Sequence, residues 1–196
     1  MDFSIWFSTG LQHIADWQGY DHILYLLVLC GTFQFSQWKK VLVLITAFTV
    51  GHSVTLALSV TNLLEIKTKY IEFLIPITIL TTCVYTLLNL KKWDKASFKP
   101  NYFLTLFFGF IHGMGFSYLL KSLLGTEENI IFPLLAFNLG LEVGQILILI
   151  TVFVLIFITQ KLIRYTNYNK NFFIASSVFG IAFIMTLQRF QTLIAE

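Results

Sequence analysis

The chain has 196 residues, of which 57% are hydrophobic, 17% aromatic and 12% charged, and its mean hydropathy is +0.77. A soluble globule of this size carries about 25% charged residues to cover its surface, so that class is excluded and an all-α integral membrane protein is expected. The net charge of +3 is spread over separate loops without aromatic interleaving, which excludes a nucleic-acid partner.

The opening stretch, MDFSIWFSTGLQHIADW, lacks the basic start and small-residue cleavage site of a secretory signal. Its apolar residues predict a short N-terminal helix lying in the membrane interface, with His13 on it. Crossing a hydrocarbon core of about 30 Å takes about 20 helical residues. Six apolar stretches approach or exceed that length, at roughly 20–36, 40–63, 70–90, 102–124, 130–160 and 171–193. The fifth is long enough to tilt. No Pro/Gly/Ser-rich linker interrupts them, so residues 1–196 read as a single transmembrane domain, a six-helix bundle. Cys30 and Cys83 fall inside apolar segments as small packing residues. Trp6, Trp17, Trp38 and Trp93 fit interfacial belts.

Nine basic residues lie in the loops after the first, third and fifth spans (Lys39, Lys40, Lys91, Lys92, Lys95, Lys99, Lys161, Arg164, Lys170), against four on the other side (Lys67, Lys69, Lys121, Arg189). The positive-inside rule then places the first set in the cytoplasm, with both termini outside a bacterial-type inner membrane. Depth follows from position. Asp21 and His22 open the first span at the outer boundary, His52 and Ser53 lie in the outer half of the second, and His112 reaches a similar level in the fourth. Asn138, Glu142 and Gln145 descend the fifth from the outer surface toward the midplane.

An ionisable side chain within a span costs about 2.5–3.5 kcal/mol on insertion scales and therefore faces the bundle interior or a wet cavity. Four segments bear that penalty at one level, which points to a shared polar site. Imidazoles with carboxylates form the ligand set of borderline divalent ions such as zinc, nickel or cobalt. The expected metal ligands are Asp21, His22, His52, His112, Glu142 and, from the interfacial helix, His13. Ser53, Asn138 and Gln145 stand behind them as residues that orient ligands. Asn138, Glu142 and Gln145 follow i, i+4, i+7 and share a face, whereas Asp21 and His22 are about 100° apart on a helix. Gly109, Gly113 and Gly115 around His112, with Gly140 and Gly144 around Glu142, predict close approach of the fourth and fifth spans. The bland alternatives are hydrogen-bonded packing histidines and a capping role for Asp21.

Four segments, GLQHIADWQGYDHILYLLVL, ITAFTVGHSVTLALS, FGFIHGMGFS and LLAFNLGLEVGQ, resemble in order those of the HupE/UreJ family of small membrane proteins, named for hydrogenase and urease accessory roles. The resemblance runs from about residue 10 to residue 150. It implies a six-helix or similar bundle and the passage of nickel or cobalt, and it carries over His13, Asp21, His22, His52, Ser53, His112, Asn138, Glu142 and Gln145. Seven residues separate His13 from Asp21 where many members have five, a departure that bears on His13 as a ligand.

The favoured function is a divalent-metal permease, whose partners are the metal ion, the lipid bilayer and either a second copy of the chain or a metalloenzyme-maturation protein. The inner half of a route is sparse, with little beyond Thr46, Thr49, Thr105, Thr151, Ser176 and Ser177. The alternative is a zinc-dependent intramembrane hydrolase, in which the metal lowers the pKa of bound water to about 7 and Asp21 or Glu142 serves as general base. A third reading is a scaffold whose polar residues only join helices.

Overall fold

A computed structural model describes residues 2–17, 19–91, 98–124 and 130–195; Lys92, Trp93 and Lys95 lie outside the described residues. The described chain forms α1 (Phe3–Ala15), α2 (Asp21–Gly31), a 3-10 turn (Phe35–Gln37), α3 (Trp38–Val60), α4 (Thr68–Leu88), α5 (Phe98–Leu124), α6 (Ile131–Leu162) and α7 (Asn167–Ala195). Helices α3 to α7 are long and apolar enough to cross a membrane. In hydrocarbon no water satisfies the backbone, so each amide must bond within its own segment, and a long apolar run becomes a helix. The protein is thus a multi-pass helical membrane protein.

The first crossing expected at 20–36 is different. Helix α2 has 11 residues, about 16 Å at 1.5 Å per residue and roughly half the hydrocarbon core. It ends at Gly31, and Gln34 and Gln37 then cap each other around the 3-10 turn that leads into α3.

We call upper the end of the bundle at which α1, α4 and α6 begin and α3, α5 and α7 finish. There Lys121 donates to Asn62 (2.7 Å) and Arg189 pairs with Glu72 (2.9 Å). Helix α1 runs down from this end, parallel to α6: Phe3 meets Phe132, Gly10 backs onto Phe137 and Leu141, and Ile14 reaches Gly144. Helix α2 takes up the same direction, ending where Gly31 meets Ile156 and Ile174.

Two expectations are corrected here. Helix α1 is not laid in the interface plane but packed along α6, with Trp6, Gly10 and Ile14 buried, so Trp6 is a core residue and not part of a belt. The glycine seams also join different helices. A Cβ added at Gly10 would overlap the Phe137 carbonyl and one at Gly140 the Phe7 carbonyl, while Gly109 meets Phe48 and Gly113 meets His52. Small residues pair α1 with α6 and α3 with α5, and not α5 with α6. Glycine spacing signals that a helix has a close neighbour without saying which.

Gly140→Ala is therefore expected to push α1 off α6, with an overpacking cost of about 1–3 kcal/mol, and to lower the melting temperature in detergent. Gly180→Ala, with nothing within 4 Å of the added carbon, is expected to leave it unchanged. Equal melting temperatures for the two variants would refute the seam.

Candidate metal centre

The break between α1 and α2 places three ionisable side chains at one point. His13 sits in the last turn of α1, and Asp21 and His22 open α2. Asp21 suits that position, since a carboxylate in a first turn offsets the partial positive charge of the helix start. His52 arrives on α3 and His112 on α5, held at one level by the seam in which Gly113 backs onto the His52 backbone.

Four imidazoles converge. Ring centroids are 4.7 Å apart for His13 and His22, 4.1 Å for His22 and His112, and 5.9 Å for His13 and His52. Asp21 completes the group: its Oδ1 lies 3.0 Å from His22 Nδ1 and its Oδ2 3.4 Å from His112 Nε2. Neither approach is aligned as a hydrogen bond, although Oδ1 does accept the His22 backbone N–H at 2.8 Å. One ligand atom each from Asp21, His22 and His112 fall within 4.8 Å of one another. Donors bound about 2.1 Å from one ion in tetrahedral geometry are about 3.4 Å apart, so an ion would draw the more distant of these atoms closer together. The side chains of His22 and His112 are 5% and 2% exposed, and that of Asp21 19%.

Among the described residues, seven buried imidazole nitrogens have no hydrogen-bond partner: Nε2 of His13 and both nitrogens of His22, His52 and His112. Leaving one buried polar atom unsatisfied costs about 1–3 kcal/mol, and native interiors leave few. A cation shared among neutral rings and one carboxylate would satisfy several of them at once. The residues present fit a divalent ion of the imidazole-binding class.

The stripe expected on α6 exists and lies along α3, but its members do different things. The Asn138 amide sits near His52, donates to the Leu134 carbonyl at 2.7 Å, and keeps a buried Oδ1 without a partner. Gln145 is fully buried and accepts from Thr49 at 3.0 Å. Glu142 accepts from Thr46 at 2.9 Å and is not among the residues grouped around Asp21. Ser53 donates to the Thr49 carbonyl at 2.6 Å, one turn back on its own helix.

Three rings close the space beneath the histidines. Tyr25, Phe48 and Phe108 stand one turn below His22, His52 and His112 on their helices, and all are fully buried. Tyr25 stacks on Phe108 at 3.6 Å, Phe48 lies 5.5 Å from Phe108, and the Tyr25 hydroxyl donates to Thr105 at 2.8 Å. None of these three rings is among the site residues expected from the sequence. The available signal was an aromatic residue three or four positions from a polar one in three separate spans. Two cavities at the lower end, about 660 and 490 Å³, are lined by α6 with residues 33–36 and by α6 with α7, respectively, and contain none of the histidines.

No curated protein and no solved structure matches the chain significantly. The family described as HupE / UreJ protein matches residues 1–191, nearly the entire length that holds these helices and histidines, and the chain belongs to that family.

Proposed function

We propose that the protein is a membrane permease for a divalent transition-metal ion of the nickel or cobalt type. Asp21, His22 and His112 are the ligands of the travelling ion, with His13 and His52 beside them. One observation carries this reading: imidazoles from four helices meet around a single carboxylate, with seven ring nitrogens unpartnered among the described residues. Membership of the HupE/UreJ family favours nickel or cobalt over zinc.

In this reading α1 and α2 are two halves of one interrupted crossing, which completes six. Discontinuous helices of that kind expose half-helix ends where transported ions bind: the carbonyl end of α1 attracts a cation, and Asp21 cancels the opposing field at the start of α2. The upper end faces outward, because most basic residues lie at the other. The ion reaches Asp21 first, exchanges water for imidazole, and waits above the floor of Tyr25, Phe48 and Phe108, which must part before it can leave downward. Binding at such a site has to be loose enough to permit release.

The test uses the full chain in sealed vesicles containing a metal-sensing dye. Accumulation of Ni2+ or Co2+ that saturates with concentration is the expected result. Stoichiometric binding with no accumulation would overturn the permease reading, and hydrolysis of a lipid or peptide without accumulation would replace it with the enzyme.

A further inference from the structure

Gly19 and Tyr20, just ahead of α2, and the last turns of α7 flank an open cavity of about 340 Å³, whose wall also includes Asp21, Gln188, Arg189 and Thr192. Unlike the grooves at the lower end, it contains a residue of the metal centre. Asp21 belongs to both spaces: one carboxylate oxygen lies against His22, the other against His112, and the side chain is the most exposed of the three. The imidazoles are closed off behind it. An ion coming from the upper end meets this cavity before it meets any nitrogen.

An arginine, Arg189, also lines that cavity, and a cationic residue is unexpected on a cation's path. Arg189 bonds through Nη1 to Glu72 Oε2 of α4 at 2.9 Å, and both side chains are more than a third exposed. An exposed pair of this kind adds little to stability, so its effect is better sought in the field it sets up. With Glu72 in place the pair is neutral overall; without Glu72 the positive charge of Arg189 loses its paired carboxylate and offsets part of the attraction of Asp21 for a cation.

We propose that this cavity is the ion's vestibule and that the balance of Arg189 against Glu72 sets the rate at which a divalent cation reaches Asp21. The proposal rests on the metal-binding reading above. Charges that line a low-dielectric cleft change association rates by tenfold or more and lose that influence as salt is raised. A charge at a wall that the bound ion does not touch acts more on the rate of arrival than on the strength of coordination.

The experiment follows Co2+ binding to the purified full-length protein by stopped-flow absorbance at low and high ionic strength. Arg189→Gln is expected to speed loading about threefold or more at low salt and Glu72→Gln to slow it by a similar factor, with both differences shrinking in high salt. Because Cys30 and Cys83 are fully buried, Thr192→Cys adds one exposed thiol at the cavity. Modifying it on the folded protein with a cationic methanethiosulfonate is expected to slow loading, and with an anionic one to speed it. Unmutated protein that binds Co2+ at rates indifferent to charge at 72, 189 and 192 would overturn the vestibule and leave the metal centre standing. Unmutated protein that binds no Co2+ would overturn both.

Discussion

His22→Ala and His112→Ala are each expected to weaken binding of Ni2+ or Co2+ by at least about a hundredfold. Losing a residue that merely orients a ligand already costs 10- to 100-fold in affinity, and these two rings supply the nitrogens nearest Asp21. Asp21→Asn keeps the volume but removes the one negative charge in the group and should have an effect of the same order. Glu142→Gln should stay within about threefold of the unmutated protein, because its partner is the Thr46 hydroxyl and a carboxamide can keep that bond. Competition against a chelating dye measures all four. Binding should also weaken reversibly on acidification, since proton and metal compete for the same ring nitrogens. Full affinity in His22→Ala and His112→Ala together, or its loss in Glu142→Gln alone, would move the site elsewhere.

The second large effect concerns the aromatic floor. Phe108→Ala removes a fully buried ring that stacks on Tyr25 and lies 4.3 Å from the His112 ring. Lost packing should destabilise the bundle by about 3 kcal/mol or more. The same change opens the layer that closes the space below the histidines. Vesicles containing Phe108→Ala should therefore release trapped Co2+ at least about tenfold faster than unmutated protein, if parting the floor is a barrier of about 1.4 kcal/mol or higher. Phe107→Ala on the neighbouring, exposed position should do neither. Release at the unmutated rate from folded Phe108→Ala would show that the floor is not the barrier.

Much of this arrangement could be read from residues alone, and the limits are instructive. The long helices follow from apolar runs, because the bilayer leaves the backbone no other solution. His52 and His112 stand out because each interrupts such a run. The face shared by Asn138, Glu142 and Gln145 was legible from spacing, and it does lie along α3. Spacing could not show that Glu142 turns to Thr46 while Asn138 stays beside His52, since a helix face spans an arc wide enough to meet several side chains. Helix α1 was harder. A 13-residue amphipathic segment has the same pattern whether its apolar side meets lipid or another helix, and Gly10 alone marks a neighbour without naming α6. The early end of α2 at Gly31 was hidden for a related reason: the apolar run from Ile23 to Cys30 continues toward Phe33 and Phe35 and imitates one full crossing.

The pairing of α1 with α6 also sets a timetable for assembly. Gly10 and Phe137, which back onto each other, are about 130 residues apart in the chain, and ribosomes add about 5–20 residues per second. For some ten seconds after it emerges, the first segment lacks this companion, and His13, which it carries, has no α6 to hold it against the other three imidazoles. That ring is therefore the last of the four histidines to find its place, and an error in the α1–α6 seam would misplace His13 alone.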